Sequence, residues 1–152
     1  MRVLGIDYGL RRVGLALSDA TATLATPWRR LDRRGSEADL VRELAAEVAA
    51  LVAAEDGLEA VVVGWPRRLE GGDTDQTARV EAFARALEAR VDVPVVLQDE
   101  RLSSHEAEMR LATRERDWRR RKEKLDAAAA AVILQDYLDA RPAPAGAGGD
   151  ED

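Results

Sequence analysis

The chain has 152 residues and no cysteine, which is one domain's length and excludes disulfide frameworks, thiolate metal sites and cysteine nucleophiles. A lone histidine, His105, removes multi-histidine zinc sites, and an aromatic content of 4% leaves the core to aliphatic side chains. The net charge of −6 argues against a general DNA coat, yet Arg110 to Lys124 hold eight basic and three acidic side chains, a local cationic cluster.

In chain order, Arg2 to Ile6 and Val13 to Leu17 are apolar runs joined by the Gly-containing segment Asp7 to Arg12, which predicts a β-hairpin. Ala25 to Leu31 predicts a third strand, placed at a sheet edge by Pro27. Ser36 with Asp39 resembles a capping box, and Leu40, Leu44, Val48, Leu51 and Val52 form the stripe of a first helix, with Gly57 as its stop. Ala60 to Val63, ended by Gly64, reads as a central strand buried on both faces. Pro66 to Asp75 is polar and contains Gly71-Gly72, the composition of a loop. A second helix turns Val80, Phe83, Ala84 and Leu87 inward, and Val93 to Leu97 is the fifth strand. Ser103 and Glu106 cap a further helix, and Lys124 to Ala140 is the last, favoured by five consecutive alanines. Arg141 to Asp152 has the Pro, Gly and acidic content of a disordered tail, which leaves residues 1–140 as the folded domain. Met1 to Asp7 has no secretory apolar segment, and Ala127 to Leu134 is far shorter than the roughly 20 residues of a membrane span. A cytoplasmic protein is expected.

Three strands joined by turns and then helix-crossed strands predict a mixed sheet. The expected class is α/β of the ribonuclease H type, with strand order 3-2-1-4-5 and helices on both faces.

Acidic residues mark the expected site. Asp7 ends the first strand and Asp99-Glu100 end the fifth, at the carboxyl edge where open α/β sheets gather ligands. Asp126 shares the helical register of Ile133 and Leu134, a costly place for an acid unless it is paired or holds a cation. Converging carboxylates without His or Cys suit a hard cation, Mg²⁺ or Mn²⁺. Each acid also has a structural reading: Asp7 as a turn residue, Glu100 as partner of Arg101, Asp126 as an anion at a helix N-terminus. Asp19 and Asp99 are secondary candidates. Ser103 and Ser104 read as helix caps and His105 as a surface helix residue.

Four segments in order resemble the YqgF (RuvX) family of ribonuclease-H-like Holliday junction resolvase-type proteins, over residues 1–140. They are Gly5-Ile6-Asp7-Tyr8-Gly9 through Val13 to Asp19; Val61-Val62-Val63-Gly64-Trp65-Pro66 with Gly71; Asp99-Glu100-Arg101-Leu102-Ser103-Ser104; and Asp126 with the alanines through Leu138. Leu10, Trp65 and Arg67-Arg68 depart from the family's usual residues. Ala129, three positions after Asp126, stands where junction resolvases proper carry a second acid. The resemblance implies a metal-dependent nuclease with Asp7, Glu100 and Asp126 as catalytic metal ligands. Asp7 would bridge two cations that activate water and stabilise the leaving 3′ oxygen. The expected substrate is structured RNA, in 5′-end processing of precursor 16S ribosomal RNA, with branched junction DNA as the alternative. Arg11, Arg12, Arg67, Arg68, Arg101, Arg119, Arg120, Arg121 and Lys122 would hold phosphates without reading bases. Two other classes fit parts of the sequence. The Asp-x-Gly turn also opens the sugar-kinase and actin ATPase superfamily, which needs two such domains, and a nuclease-like fold can serve as a non-catalytic nucleic-acid-binding module.

The cationic cluster generates a first prediction. Changing Arg119, Arg120 and Arg121 to Glu weakens RNA binding and flattens its salt dependence by roughly one unit of slope for each phosphate no longer neutralised. A titration of binding against salt concentration measures it, and an unchanged slope returns the cluster to an ordinary solvated helix face.

Overall fold

The computed structural model describes residues 1–65, 75–99 and 118–140, with side chains from 76 onward in the second segment and from 127 onward in the third. Five strands, β1 (Arg2–Asp7), β2 (Arg12–Ser18), β3 (Ala25–Asp32), β4 (Leu58–Trp65) and β5 (Val95–Asp99), form one sheet in the order β3-β2-β1-β4-β5. The β1, β2 and β3 pairings are antiparallel, whereas β4 runs parallel to β1 and to β5. The expected strand order is the observed one. Three helices accompany the sheet: α1 (Glu37–Ala53), α2 (Asp75–Glu88) and α3 (Trp118–Ala140).

The strict alternation of β-strand side chains divides the core in two. Leu4, Ile6, Val13, Leu15, Val61 and Val63 point to one face, where Leu40, Leu44 and Val48 of α1 and Val80, Phe83 and Leu87 of α2 cover them. Val3, Ala16, Ala60 and Val62 point to the other, against Ala130, Ile133, Leu134 and Leu138 of α3. Central β1 and β4 are therefore apolar at consecutive positions, while edge strand β3 exposes Thr26, Pro27 and Trp28.

Local chemistry sets the element ends. The Ser36 hydroxyl accepts from the Asp39 amide at 3.1 Å and the Asp39 carboxylate accepts from the Ser36 amide at 2.9 Å, so the capping box is formed. The helix it opens stops at Ala53 with Ala54 extended, and Gly57 supplies a positive φ of 66° in the turn into β4. Val52, expected on the buried stripe, is 40% exposed. β4 runs past Gly64 because Trp65 still pairs with Asp99. The fifth strand starts at Val95, not Val93: Pro94 has no N–H to give and contributes its carbonyl to the Val61 amide. The last helix begins at Trp118, six residues before the expected Lys124, since Arg and Lys are themselves good helix formers. The basic run 119–122 therefore lies on the opening turns of α3, not before it. The Pro66–Asp75 loop up to residue 74, the helix expected after Ser103, His105 and the tail 141–152 lie outside the described residues.

The seat of α3 is set at Gly5. A Cβ there would come within 2.8 Å of Leu134 Cβ and 3.1 Å of the Ala130 carbonyl oxygen, contacts that require the helix to move. Gly5→Ala is accordingly expected to destabilise the protein by about 1–3 kcal/mol, read as a lower denaturant midpoint with an unchanged m-value.

Candidate metal-dependent site at the carboxyl edge

Asp7 is the last residue of β1 and is half-buried. It shares the parity of Val3 and Gly5, so its side chain leaves the sheet on the α3 face. Cross-strand register puts Asp7 opposite Gly14, and Gly14 opposite Arg30. The following turn, with Gly9, Leu10, Arg11 and Arg12, and Gln76 at the start of α2 line a pocket of about 380 Å³ together with Asp7. Gly9 is required there because a Cβ would run into the Arg12 carbonyl oxygen. Two of the expected phosphate-binding arginines, Arg11 and Arg12, are thus beside the expected metal ligand. Gln76 was not legible in the sequence: it lies far from Asp7 along the chain, and only the packing of α2 brings it there.

A polar brace holds this turn. The Tyr8 hydroxyl donates to Glu37 Oε1 at 2.8 Å, and Arg33 donates to Tyr8 Oη at 3.2 Å, to the Gly9 carbonyl at 3.0 Å and to Glu37 Oε1 at 2.6 Å. The Tyr8 ring lies 4.6 Å from Phe83, centroid to centroid. Burial, then the bond to the Glu37 carboxylate, pushes the Tyr8 phenol up from its ordinary pKa, so it remains a neutral donor. Strand alternation explains the division of labour: Tyr8 enters the core on the α1/α2 face, and its neighbour Asp7 faces α3.

The course of α3 bears on Asp126. The Gln135 amide accepts from the Ala25 amide at 2.8 Å and donates to the Thr23 carbonyl at 3.0 Å, at the sheet edge where β1 begins. Ala130 and Leu134 lie against Gly5. The helix therefore runs from the carboxyl edge of β1 toward its amino edge. From Ala130 back to Asp126 is one turn, about 6 Å of rise, and from Gly5 on to Asp7 is about 7 Å of strand. The backbone of Asp126 and that of Asp7 are displaced in the same direction from one contact. Arg119, Arg120, Arg121 and Lys122 continue α3 beyond it.

Asp99 ends β5 at the same edge but has the parity of Val95 and Leu97, which pack against the α1/α2 core. Glu100, Arg67, Arg68 and Arg101 lie outside the described residues. Among the described residues no three His, Cys, Asp or Glu side chains form a metal-binding group; Asp7 is the member of the expected trio whose side chain is described. Its oxygen donor, with no histidine or cysteine among the described residues that line the pocket, fits a hard divalent cation.

Asp19 belongs elsewhere. It follows β2 at the opposite sheet edge and accepts from the Thr23 and Leu24 amides at 2.9 and 3.0 Å and from the Thr21 hydroxyl at 2.5 Å. These bonds, the Thr21 hydroxyl foremost, hold its carboxyl far below the usual carboxylate range. A depressed folded pKa contributes stability above the unfolded value near 3.9 and loses it as pH falls toward the folded value. Asp19→Ala is therefore expected to lower the thermal midpoint at neutral pH, with the gap to the parent protein closing progressively below about pH 4. Thermal melts across a pH series test this, and a gap independent of pH would refute it.

A family model described as RuvX, Holliday junction resolvase, matches residues 1–140. A protein of Chloroflexus aggregans named "Putative pre-16S rRNA nuclease" is 41% identical over 142 residues, covering 93% of this chain and 96% of that protein. One of the same name from Maridesulfovibrio salexigens is 41% identical over 138 residues, covering 91% and 98%. Among solved structures, T. thermophilus RuvC in complex with a Holliday junction substrate superposes with a TM-score of 0.54 at 19% identity, over 93% of this chain and 95% of that one. At that identity the likeness establishes the ribonuclease H-like fold alone.

Proposed function

The chain belongs to the RuvX family, and from that premise we propose that it is a divalent-cation-dependent nuclease that hydrolyses phosphodiester bonds in 5′-end processing of precursor 16S ribosomal RNA. The observation that carries this reading is Asp7, aimed from the carboxyl end of the central strand to the α3 face beside Arg11 and Arg12. A carboxylate and two arginines lining one pocket bring together what phosphodiester hydrolysis needs: an oxygen ligand for a cation, and forked donors for the phosphate it acts on.

The metal ligands proposed are Asp7, Glu100 and Asp126. Support for Asp126 comes from the direction of α3. Glu100 lies outside the described residues and is proposed on the sequence resemblance, as the residue that follows Asp99 at the end of β5. Held by these carboxylates, Mg²⁺ or Mn²⁺ would supply an activated water and neutralise charge on the leaving oxygen. Arg11 and Arg12 orient the phosphate, and the Tyr8–Arg33–Glu37 brace keeps the turn that carries them in place. Arg119, Arg120, Arg121 and Lys122 on α3, with Arg67, Arg68 and Arg101, extend the phosphate contacts along structured RNA. Residues 1–140 form the nuclease domain, and 141–152 an acidic tail. No helix among the described residues is long and apolar enough to cross a membrane, and a cytoplasmic location follows from the substrate proposed.

The deciding variant is Asp7→Asn, which keeps shape and removes charge. Labelled precursor 16S RNA and a four-way DNA junction are incubated with parent and variant, in Mn²⁺ and in chelator. The parent cleaves the RNA only with the cation, and the variant falls to background. The variant unfolds cooperatively with the parent's m-value, which excludes a folding defect as the cause. Parent-level cleavage by folded Asp7→Asn discards the site, and cleavage of the junction in preference to the RNA reassigns the substrate.

A further inference from the structure

The pocket beside Asp7 carries one side chain whose chemistry the proposed cleavage does not use. Asp7 as a carboxylate only accepts hydrogen bonds, Arg11 and Arg12 only donate them, and Gly9 and Leu10 bring no polar side-chain atom. Among the described lining residues, Gln76 alone both donates and accepts. Its side chain is half-buried, and no hydrogen bond to a described residue engages its carboxamide.

The packing of α2 fixes where Gln76 stands. Thr77, the next residue, is 1% exposed, and Val80 and Phe83, one and two turns on, are fully buried. The Phe83 ring lies 4.6 Å from that of Tyr8, the residue after Asp7, so the contact that seats α2 also sets it against the turn after β1. The pocket lies over the end of β1, not on one face of the sheet: its lining runs from the last residue of β1 to the first of β2. A side chain of α2 therefore shares it with Asp7, although Asp7 leaves the sheet toward α3.

The donor set selects the group that Gln76 would take. A phosphate oxygen only accepts and a cation binds only the carbonyl oxygen, so either leaves half of the carboxamide unmet. A hydroxyl, itself donor and acceptor, engages both halves. In a nucleic acid that hydroxyl is the ribose 2′-OH, the group by which a protein tells RNA from DNA. It sits on the sugar carbon next to the one that carries the 3′ phosphate, within the span of a pocket that holds this phosphate at Arg11 and Arg12.

We propose that Gln76 is a specificity-determining residue that hydrogen-bonds the 2′-hydroxyl of the nucleotide whose phosphate is held at Arg11 and Arg12. This rests on the nuclease reading and gives its preference for RNA a named side chain.

The test measures binding by fluorescence anisotropy in chelator, where no cleavage occurs, on one oligonucleotide sequence made as RNA, as 2′-fluoro RNA and as DNA. The 2′-fluoro sugar keeps the pucker of RNA and removes the hydroxyl, so it separates the contact from shape. The parent protein binds the RNA about 2- to 10-fold more tightly than the 2′-fluoro RNA, the worth of one neutral hydrogen bond. Gln76→Met, similar in length and helix propensity, lowers RNA affinity to the 2′-fluoro level and leaves the other two ligands at their parent values. Gln76→Ala takes its place if Gln76→Met does not unfold cooperatively with the parent's m-value. A preference retained by the folded variant, an equal loss on all three ligands, or a parent that binds RNA and 2′-fluoro RNA alike overturns the proposal. The equal loss would make Gln76 a phosphate contact. Because no arm depends on cleavage, active Asp7→Asn alongside a lost RNA preference in Gln76→Met means that the cleavage site is wrong and the ribose contact stands.

Discussion

Everything on the α3 face depends on one missing side chain. With hydrogen alone at position 5, the helix settles onto the centre of the sheet, backbone carbonyl close to strand. Ala16 and Ala60 on the strands and Ala130 on the helix keep the rest of that interface thin. The alanine run has a second use here besides helix propensity: it supplies a low surface for close packing. Because the contact is near the carboxyl edge of β1, the α3 backbone reaches the level of Asp7 about one turn before Ala130, and the turns that carry the basic residues continue beyond it.

The opposite face is built on different terms. There Phe83, Leu44, Leu87 and the branched side chains of β1, β2 and β4 fill a thick layer, and the polar brace of Tyr8, Arg33 and Glu37 closes its upper end. Three elements meet at that brace: the turn after β1, the segment after β3 and the first turn of α1. Its hydrogen bonds are mutually satisfied within a part-buried setting, which is the condition under which a polar network specifies one geometry. A rigid outer layer and a close inner helix hold Asp7 between them.

What was legible in the sequence was local. Ser36 and Asp39 announced their helix because a capping box is complete within four residues, and Pro27 announced an edge because proline cannot donate. Asp7 was legible as a strand-terminal acid. The remainder depends on partners distant along the chain. Nothing near Gly5 distinguishes it from an ordinary residue in an apolar run until Ala130 arrives. Arg33 looks like one of several arginine pairs until Tyr8 and Gly9 are placed against it. The place of Gln76 follows from packing, which composition does not encode. The early start of α3 is hidden for a simpler reason: clustered charge reads as a boundary, although arginine extends helices readily.

The two-sided core has an order of completion. Residues up to Glu88 contain β1 to β4, α1 and α2, enough to close the thick layer while the chain is still being synthesised. Val3, Ala16 and Val62 stay uncovered until Ala130, Ile133, Leu134 and Leu138 have been made. During that interval the nascent chain presents a half-finished sheet whose bare face is apolar and whose centre is flat, the kind of surface that chaperones shield and that aggregates recruit. A ribosome that stalled between these two stages would release a protein with the layer that supports its site and none of the helix that completes it.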